Sequence, residues 1–273
     1  MSETFSGYEY GNESDKKFHR EACHKHQRLM SLKYDFEGIP EKVSSEWHKL
    51  ENQGPVGSCQ GHSLSSCLEG CYWIDTGGKY VQLSRMAAYR FSQQEDGISG
   101  DKGSTLSGGV LAAKKGIPAE EHWPYPGKYV TRIPKAAVDN RSDYRLLEAV
   151  PIAYDNPSAQ VCQWIGRGKG FCAIGVKWTS EMDTPSVISN YTGRGRGGGH
   201  AVSVLGYDIR KKYLYISNSW GTNWGENGVK PITFTAFNRM MRYGWNHGYL
   251  YSDLADIDMD REIPDFSIIG DVV

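Results

Sequence analysis

The chain has 273 residues, and its 31 basic and 32 acidic side chains leave a net charge of -1. This length can bury a sizeable core in one or two domains, and 39% hydrophobic residues is ordinary for a folded globular protein. The balanced charge gives no electrostatic reason to expect nucleic acid or an anionic membrane as a partner. No apolar run approaches the ~18 residues of a spanning helix. We therefore expect neither nucleic acid nor a membrane among its partners.

The first 38 residues are polar and differ in composition from the rest of the chain. Ser14 or Asp15 is predicted to cap a helix that runs to about residue 30. Within it, His19 and Cys23 are four residues apart, a workable pair for zinc. His24 and His26 point elsewhere, so no third ligand shares that face. We favour a solvated helix face here, and we expect no metal and no cofactor.

Hydrophobic spacing predicts a helical first half and a strand-rich second half. The predicted helices cover residues 59–74, 85–93, 105–115 and 158–166, with Ser84 as a cap and Gly116 as a stop. The predicted strands cover residues 171–178, 200–207, 213–218 and 228–234. A glycine-rich loop precedes residue 200, and the tail after residue 258 is acidic and irregular.

One loop ends in a cysteine that is placed for nucleophilic chemistry. The stretch Asn-Gln-Gly-Pro-Val-Gly-Ser-Cys-Gln ends at residue 60, and Cys59 stands where the loop turns into a helix. The helix dipole and its free backbone N–H groups favour the thiolate form there. The same N–H groups can stabilise an oxyanion on a carbonyl that the thiolate attacks.

A cysteine nucleophile needs a base and a group that orients the base. The stretch Gly-Gly-Gly-His-Ala-Val-Ser-Val-Leu-Gly-Tyr offers His200 at the start of a predicted strand, and Ile-Ser-Asn-Ser-Trp-Gly offers Asn218 at the end of the next. A papain-type signature has its His and Asn about 130–150 residues after the cysteine. His200 falls in this range and Asn218 slightly beyond it.

These motifs resemble those of the papain-like cysteine peptidases. Three blocks, NQGPVGSC, GGHAVSVLGYD and ISNSWGTNWGENG, stand in the order of that family, and the resemblance spans about residues 39–251. It implies an α+β, two-lobed fold, with a helical lobe (about 39–130), an antiparallel barrel-like β lobe (about 131–258) and a cleft between them. Residues 1–38 are then an N-terminal extension and residues 259–273 a C-terminal tail. The extension is interpreted equally well as a latch that lies over the cleft or as a segment that lies on the surface away from it.

The resemblance also implies roles for individual residues. Cys59 would be the nucleophile, His200 the base and Asn218 the group that orients the imidazole. Gln53 matches the position of a side-chain oxyanion donor. Trp220 would cover the hydrogen bond between His200 and Asn218.

An extended peptide or protein substrate is the partner that the resemblance implies. Gly103 would pair with the substrate backbone, and Ser104 and Thr105 would border the main specificity pocket. Gly199, which precedes the base and has no side chain to contact a ligand, and Trp220 are also expected to border the substrate-binding site. Asp-Lys-Gly-Ser replaces the usual glycine-pair motif of the family, which leaves the side-chain preference open.

The chain departs from the family pattern at three further positions. Gln60 replaces the usual aromatic residue after the nucleophile, and Val56 replaces a cysteine that secreted members bridge elsewhere. His62 is expected to pack or hydrogen-bond within its lobe rather than act as the base. The missing bridge and the absence of a recognisable signal predict a cytoplasmic protein, with a bacterial or viral source as a guess and a monomeric state as the expectation.

Three functions follow from the same residues. The first is a cysteine endopeptidase that is latent through its N-terminal segment and whose activity rises when residues 1–38 are removed. The second is an acyl transferase or amidase that uses the same thioester. The third is a catalytically silent binding module; an intact set of Cys59, His200, Asn218 and Gln53 argues against it.

Overall fold

The computed structural model describes residues 7–44, 47–195 and 197–252. The helices are α1 (Glu13–Lys25), α2 (Gln27–Met30), α3 (Cys59–Asp75), α4 (Arg85–Asp96), α5 (Leu106–Lys115), α6 (Lys135–Asp139), α7 (Pro157–Gly166) and α8 (Phe234–Met241). The strands are β1 (Lys42–Val43), β2 (Glu148–Pro151), β3 (Cys172–Lys177), β4 (Gly199–Asp208), β5 (Tyr213–Ser217), β6 (Val229–Thr233) and β7 (His247–Ser252). In the part of the chain described, no helix is both long and apolar enough to cross a membrane.

The strands form one antiparallel sheet in the order β2-β7-β3-β4-β5-β6, and β1 pairs with β4 off this path. All ten residues of β4 are buried, because it pairs on both sides and also packs against α3. Helices α3, α4 and α5 make the opposite lobe. The α+β, two-lobed architecture predicted from the sequence is therefore confirmed. The predicted domain boundaries stay predictions, although β1 shows that residues 42–43 join the sheet of the second lobe.

Helix α3 is the central helix between the lobes. Its residues from Cys59 to Cys71 are all buried, with α4 on one side and β4 on the other. Gly61 permits the close approach of α4, since a Cβ there would lie 2.7 Å from the backbone nitrogen of Tyr89. This packing fixes the N-terminal end of α3, and with it Cys59, at the boundary of the two lobes.

Local signals placed most helix ends correctly. The side chain of Ser84 accepts the N–H of Ala87 and caps α4, and that of Thr105 accepts the N–H of Gly108 and caps α5. Helix α5 ends at Gly116, whose φ of +108° few residues with a side chain adopt. For α3, α4, α5 and α7 the predicted ends lay within three residues of those observed, as expected for ends set by hydrogen bonds of single side chains.

The first helix differs from its prediction. Asn12, rather than Ser14 or Asp15, is the cap, and its side-chain oxygen accepts the N–H groups of both of those residues. The helix also breaks at His26, so the predicted span to residue 30 is divided between α1 and α2. Asp15 is thereby freed from capping, and its carboxylate is buried at the side of α1.

The sequence analysis missed β1, β2, β7, α6 and α8. Strand β7 is buried along its whole length, so its side chains lack the alternation that marks a half-buried strand. Residues 234–241 form α8 directly after β6, where Thr233 caps the helix. The predicted acidic tail after residue 258 lies outside the described residues.

A buried ion pair joins α3 to α4. The guanidinium of Arg85 and the carboxylate of Glu69 are both fully buried, and Arg85 NH2 lies 2.9 Å from Glu69 Oε2. The carboxylate also accepts the N–H of Leu83 at 2.7 Å. Both groups are therefore held by several hydrogen bonds in a site that excludes water.

Replacing Glu69 with alanine is expected to lower the free energy of unfolding by about 3–5 kcal/mol, because it leaves the buried Arg85 charge without its main partner. Urea denaturation followed by circular dichroism measures the change. Asp139→Ala is the matched control: it breaks the exposed Lys135–Asp139 pair and should cost less than about 1 kcal/mol. Equal losses of unfolding free energy in the two variants would contradict the conclusion that Glu69 stabilises the buried charge of Arg85.

Candidate active site

The thiol of Cys59 lies at the first residue of α3 and is fully buried. The preceding loop turns sharply, with the N–H of Ser58 donating to the carbonyl of Val56 at 2.8 Å. Four backbone N–H groups, those of Ala201, Gly7, Gln60 and Cys59 itself, act on its sulfur. The Ala201 nitrogen lies 3.4 Å from Sγ. The sulfur is therefore held between the helix end and strand β4.

His200 and Asn218 form a buried pair on the sheet side. His200 is the second residue of β4, and Asn218 directly follows β5, the neighbouring strand. The imidazole Nε2 lies 2.8 Å from Asn218 Oδ1, which also accepts the N–H of Ser219. Because Oδ1 is an acceptor, Nε2 carries the proton and Nδ1 keeps its lone pair. Nδ1 has no hydrogen-bond partner among the described residues, so it is free to take a proton.

Aromatic rings cover this pair. The ring of Trp220 lies 4.6 Å from that of His200 at a tilt of 35°, and Trp178 approaches the imidazole edge-on at 4.7 Å. Trp220 thus has the position that the sequence predicted for it. Trp178, at the end of β3, has a similar position and was not singled out. Together the two rings keep water from the imidazole–amide hydrogen bond, which strengthens it.

Gln53 is buried next to the boundary between the two lobes. Its Nε2 donates to the carbonyl of Val56 at 2.8 Å, and its Oε1 accepts the hydroxyl of Ser219 at 2.7 Å. One amide hydrogen is therefore engaged and the second is available. The predicted oxyanion-donor role of Gln53 stays a prediction, and its link to Ser219 ties it to the loop that carries Asn218.

Residues 7–10, which we call the N-terminal strap, lie in the cleft between the lobes. The N–H of Ser104 donates to the carbonyl of Gly7 at 3.2 Å, and the N–H of Glu9 donates to the carbonyl of Ser104 at 3.1 Å. This pairing is parallel. On the other side, a Cβ on Gly199 would meet the carbonyl oxygen of Tyr8 at 2.3 Å. Of the two interpretations of the N-terminal extension, this position agrees with a latch.

The predicted substrate-binding residues divide into two groups. Gly103, Ser104 and Gly199 lie against the strap and so line the cleft; a Cβ on Gly103 would lie 2.7 Å from the carbonyl carbon of Gly7. The backbone N–H of Gly103 nevertheless points inward and donates to the hydroxyl of Tyr89, and the Thr105 side chain caps α5. In this state the backbone of Ser104, rather than that of Gly103, pairs with an extended segment. The substrate-binding roles remain predictions.

A polar cluster that the sequence analysis missed anchors the strap. The hydroxyl of Tyr8 donates to Asp15 Oδ2 at 3.0 Å and lies 3.3 Å from His247 Nδ1. His247 Nε2 forms an ion-pair contact with the same carboxylate oxygen at 3.3 Å. Asp15 Oδ1 accepts the N–H of Ser107 at 2.9 Å. No local sequence pattern could have identified this cluster, since His247 and Ser107 lie far along the chain from Tyr8 and Asp15.

The charges in the cluster support each other. Burial alone would lower the pKa of His247, but the Asp15 carboxylate outweighs it and raises that pKa. Burial alone would raise the pKa of Asp15, but His247 and the Ser107 hydrogen bonds outweigh it and lower that pKa. Beneath the Tyr8 hydroxyl, Asp15 and His247 therefore each stabilise the charged form of the other.

With the strap in place, the catalytic candidates are uncharged. Burial raises the pKa of the Cys59 thiol to about 12, although four N–H groups act against it. Burial lowers the pKa of His200 to about 4, against the hydrogen bond to Asn218. The expectation of a thiolate at the helix end is not met in this closed state, because loss of water outweighs the helix dipole.

Two further histidines, His62 and His19, also have hydrogen-bond partners. His62 Nδ1 lies 3.0 Å from the carbonyl of Ser58, which confirms that it hydrogen-bonds within its own lobe. His19 contacts the hydroxyls of Tyr249 and Tyr154 at 3.3 and 3.1 Å. Across the described ranges, no three potential metal ligands lie close enough together to hold an ion.

The chain belongs to the papain family of cysteine proteases. The model of that family matches residues 39–240. The chain is 27% identical over 201 residues to the senescence-specific cysteine protease SAG12 of Arabidopsis thaliana, covering 70% of this chain and 56% of that protein. It is 28% identical over 198 residues to mexicain of Jacaratia mexicana, covering 67% of this chain and 81% of mexicain.

Two solved structures share the fold at low sequence identity. Xylellain, a cysteine protease from Xylella fastidiosa, superposes with a TM-score of 0.65 at 20% identity, covering 84% of this chain and 90% of xylellain. The proform of the ragweed pollen allergen Amb a 11, a cysteine protease, also has a TM-score of 0.65, at 22% identity, covering 87% of this chain and 73% of the proform. The chain spans 56% and 57% of the length of SAG12 and of the Zea mays cysteine proteinase 1.

Proposed function

We propose that this protein is a cysteine endopeptidase that its N-terminal strap keeps latent. The observation that carries the proposal is the approach of β4 to α3. The Ala201 N–H reaches Cys59 Sγ at 3.4 Å, and the preceding residue, His200, holds its hydrogen bond to Asn218 at 2.8 Å. A thiol, an imidazole with a free lone pair and an orienting amide are thereby collected at one point of the cleft.

These residues support peptide-bond hydrolysis through a thioester. His200 Nδ1 takes the thiol proton, and the Cys59 sulfur attacks the peptide carbonyl carbon. The backbone N–H of Cys59 and the second amide N–H of Gln53 would stabilise the oxyanion. As the C–N bond breaks, the imidazolium returns its proton to the leaving amine. His200 then accepts a proton from water, whose oxygen attacks the thioester and releases the new carboxylate and the thiol.

The direction and contacts of the strap support latency. A cleavable peptide must present a carbonyl carbon to the Cys59 sulfur, whereas the strap presents the N–H of Gly7. The Gly7 N–H therefore occupies the place where a substrate carbonyl must lie. The strap also excludes water from the thiol and the imidazole, which keeps both uncharged. A substrate must displace it to reach Cys59.

The cysteines support a reducing compartment. All six are free thiols, and Cys59, Cys67, Cys71, Cys162 and Cys172 are buried. We accordingly propose a cytoplasmic protein that acts as a monomer on extended peptide segments, and the backbone N–H and carbonyl of Ser104 are the groups with which such a segment pairs.

Product analysis tests the activity. The full chain, and the same chain with Gly7→Val to displace the strap, are incubated with a peptide in water enriched in oxygen-18. We expect cleavage that places solvent oxygen in the new carboxylate, because water attacks the thioester. A competing amine separates the alternatives, since a transferase would form mainly the amide. Absence of any cleavage with a thiol that still reacts would favour the binding module.

A further inference from the structure

The side chain of Tyr8 fills a pocket between the lobes. The residue is 2% exposed, and its ring lies over two glycines of the sheet, Gly175 and Gly199. A Cβ on Gly175 would lie 2.4 Å from the ring carbon that bears the hydroxyl, and a Cβ on Gly199 would lie 3.0 Å from another ring carbon. The pocket is therefore wide enough for an aromatic ring only because both positions lack side chains.

The far end of this pocket is polar and charged. Gly175 in β3 stands directly opposite His247 in β7, so the imidazole lies beside the ring position. Asp15 Oδ2 accepts the Tyr8 hydroxyl at 3.0 Å, and His247 Nδ1 lies 3.3 Å from it. A buried acceptor of this kind favours a side chain that donates a hydrogen bond and disfavours one of the same shape that cannot.

Asp15 does not depend on the strap for its position. Its Oδ1 accepts the N–H of Ser107, and the helix that carries it has its own contacts with α5 and β2. Lys25, at the other end of α1, forms an ion pair with Glu148 at 2.7 Å. Gly11, with a φ of +77°, separates the strap from the cap of α1 at Asn12. The strap can thus swing out at Gly11 while Asp15 stays in the pocket.

The position of the pocket relative to Cys59 fixes which substrate residue enters it. The N–H of Gly7 acts on the Cys59 sulfur, and Tyr8 is its neighbour in the chain. In a substrate, the residue that carries the attacked carbonyl stands next to the sulfur. Because the strap presents an N–H where a substrate presents its carbonyl, a substrate runs through the cleft in the opposite direction, and the residue before the attacked one has its side chain at the Tyr8 pocket.

We propose that the Tyr8 pocket selects a tyrosine side chain in the substrate, at the residue before the one whose carbonyl is attacked. Asp15 of α1 and His247 of β7 recognise the phenol hydroxyl, and Gly175 provides the space for the ring. The strap occupies the cleft with the same side chain that the pocket takes from a substrate. The inference rests on the proposed peptidase function for its catalytic readout, but not for its binding readout.

The test uses the full chain with Gly7→Val, so that the strap is displaced. Fluorogenic peptides carry glycine at the attacked residue and tyrosine, phenylalanine, leucine or lysine before it. We expect kcat/KM for the tyrosine peptide to exceed that for the phenylalanine peptide by about tenfold or more, the effect of one hydrogen bond to a charged group. Equal rates for the two, or a preference for lysine, would overturn the inference.

Single substitutions identify the residues that cause the preference for tyrosine over phenylalanine. Asp15→Asn or His247→Gln should bring the tyrosine-to-phenylalanine ratio close to one. Glu21→Gln, an exposed carboxylate on the same helix, is the matched control and should leave the ratio unchanged. Gly175→Ala should reduce turnover of both aromatic peptides at least about tenfold relative to the leucine peptide, because its Cβ enters the ring position. If the tyrosine-to-phenylalanine ratio is unchanged in Asp15→Asn and His247→Gln, these two residues do not recognise the phenol hydroxyl.

A binding assay separates this inference from the peptidase proposal. In the Gly7→Val chain that also carries Cys59→Ala, fluorescence anisotropy measures the dissociation constants of the same labelled peptides. Tighter binding of the tyrosine peptide by about tenfold supports the pocket even if no peptide is cleaved. If the tyrosine and phenylalanine peptides are cleaved and bound equally well, the peptidase function stands and the proposed selectivity of the Tyr8 pocket is wrong.

Discussion

Replacing Cys59 with alanine in the Gly7→Val chain is expected to lower the rate of peptide hydrolysis by about 10⁴- to 10⁶-fold. Removing the nucleophile of a catalytic set removes the covalent pathway altogether, and oxyanion stabilisation and binding alone leave only a small residual rate. Initial rates on a fluorogenic peptide, with the same protein concentration and a long time course, measure the loss. Circular dichroism establishes that the variant is folded.

The control for this prediction is Cys23→Ala. Cys23 is a half-buried free thiol on α1, outside the cleft, and its loss should leave the rate unchanged. The comparison excludes a general effect of thiol removal. Full hydrolysis by the Cys59→Ala variant would mean that another group performs the reaction, and the assignment of Cys59, His200 and Asn218 would then be wrong.

Replacing Gly7 with valine is expected to raise both peptide hydrolysis and alkylation of Cys59 by about tenfold or more. A Cβ at residue 7 would lie 2.4 Å from the carbonyl carbon and oxygen of Gly57, closer than any van der Waals contact allows. These are backbone atoms of the loop that leads to Cys59, so they cannot move aside as a side chain would. The strap must leave the cleft, and water and substrate then reach the thiol.

The pH dependence of iodoacetamide labelling measures the same opening. In the closed protein the thiol has a pKa of about 12 and His200 a pKa of about 4, so both are neutral at intermediate pH and labelling is slow. Once water returns, the two can form a thiolate–imidazolium pair, whose thiol stays reactive down to about pH 4–5. The expected result is therefore fast labelling at low pH in Gly7→Val only. Peptide mass mapping assigns the label to Cys59.

Two outcomes would contradict the latch. Fast labelling of both chains at low pH would mean that the strap does not protect the thiol. Slow labelling of both would mean that the ion pair does not form, and a binding module would become the better interpretation. Glu9→Gln is the control, because Glu9 pairs with Ser104 through its backbone N–H and the substitution leaves that bond in place.

Removal of residues 1–38, which the sequence analysis expected to raise activity, combines two effects in this structure. It takes away the strap, which opens the cleft. It also takes away α1, whose Asp15 and His19 are buried against the body of the protein. The Gly7→Val substitution opens the cleft while α1 remains, and it is the cleaner test of latency.

Much of this architecture could be predicted from the sequence because helix caps, helix stops and apolar repeats act over short stretches of the chain. A cap such as Ser84, a stop such as Gly116 and an apolar repeat along α3 each act through hydrogen bonds or packing within one or two helical turns. Strands β3, β4 and β5 were predicted from short apolar runs between turn residues. Strand β7 was not, because continuous burial removes the alternation that identifies a strand.

The sequence alone predicted the candidate residues: a cysteine at a loop-to-helix junction, followed by His200 and Asn218 at the ends of two predicted strands, which the structure shows to be neighbours in the sheet. Only the tertiary structure decided how the chemistry of those residues is controlled. Tyr8 of the strap meets His247 across 239 positions of the chain and Asp15 meets Ser107 across 92, and such contacts leave no periodic trace in the sequence. Likewise, the pKa of Cys59 is set by the exclusion of water where the strap and β4 meet the sulfur, rather than by the helix that carries it.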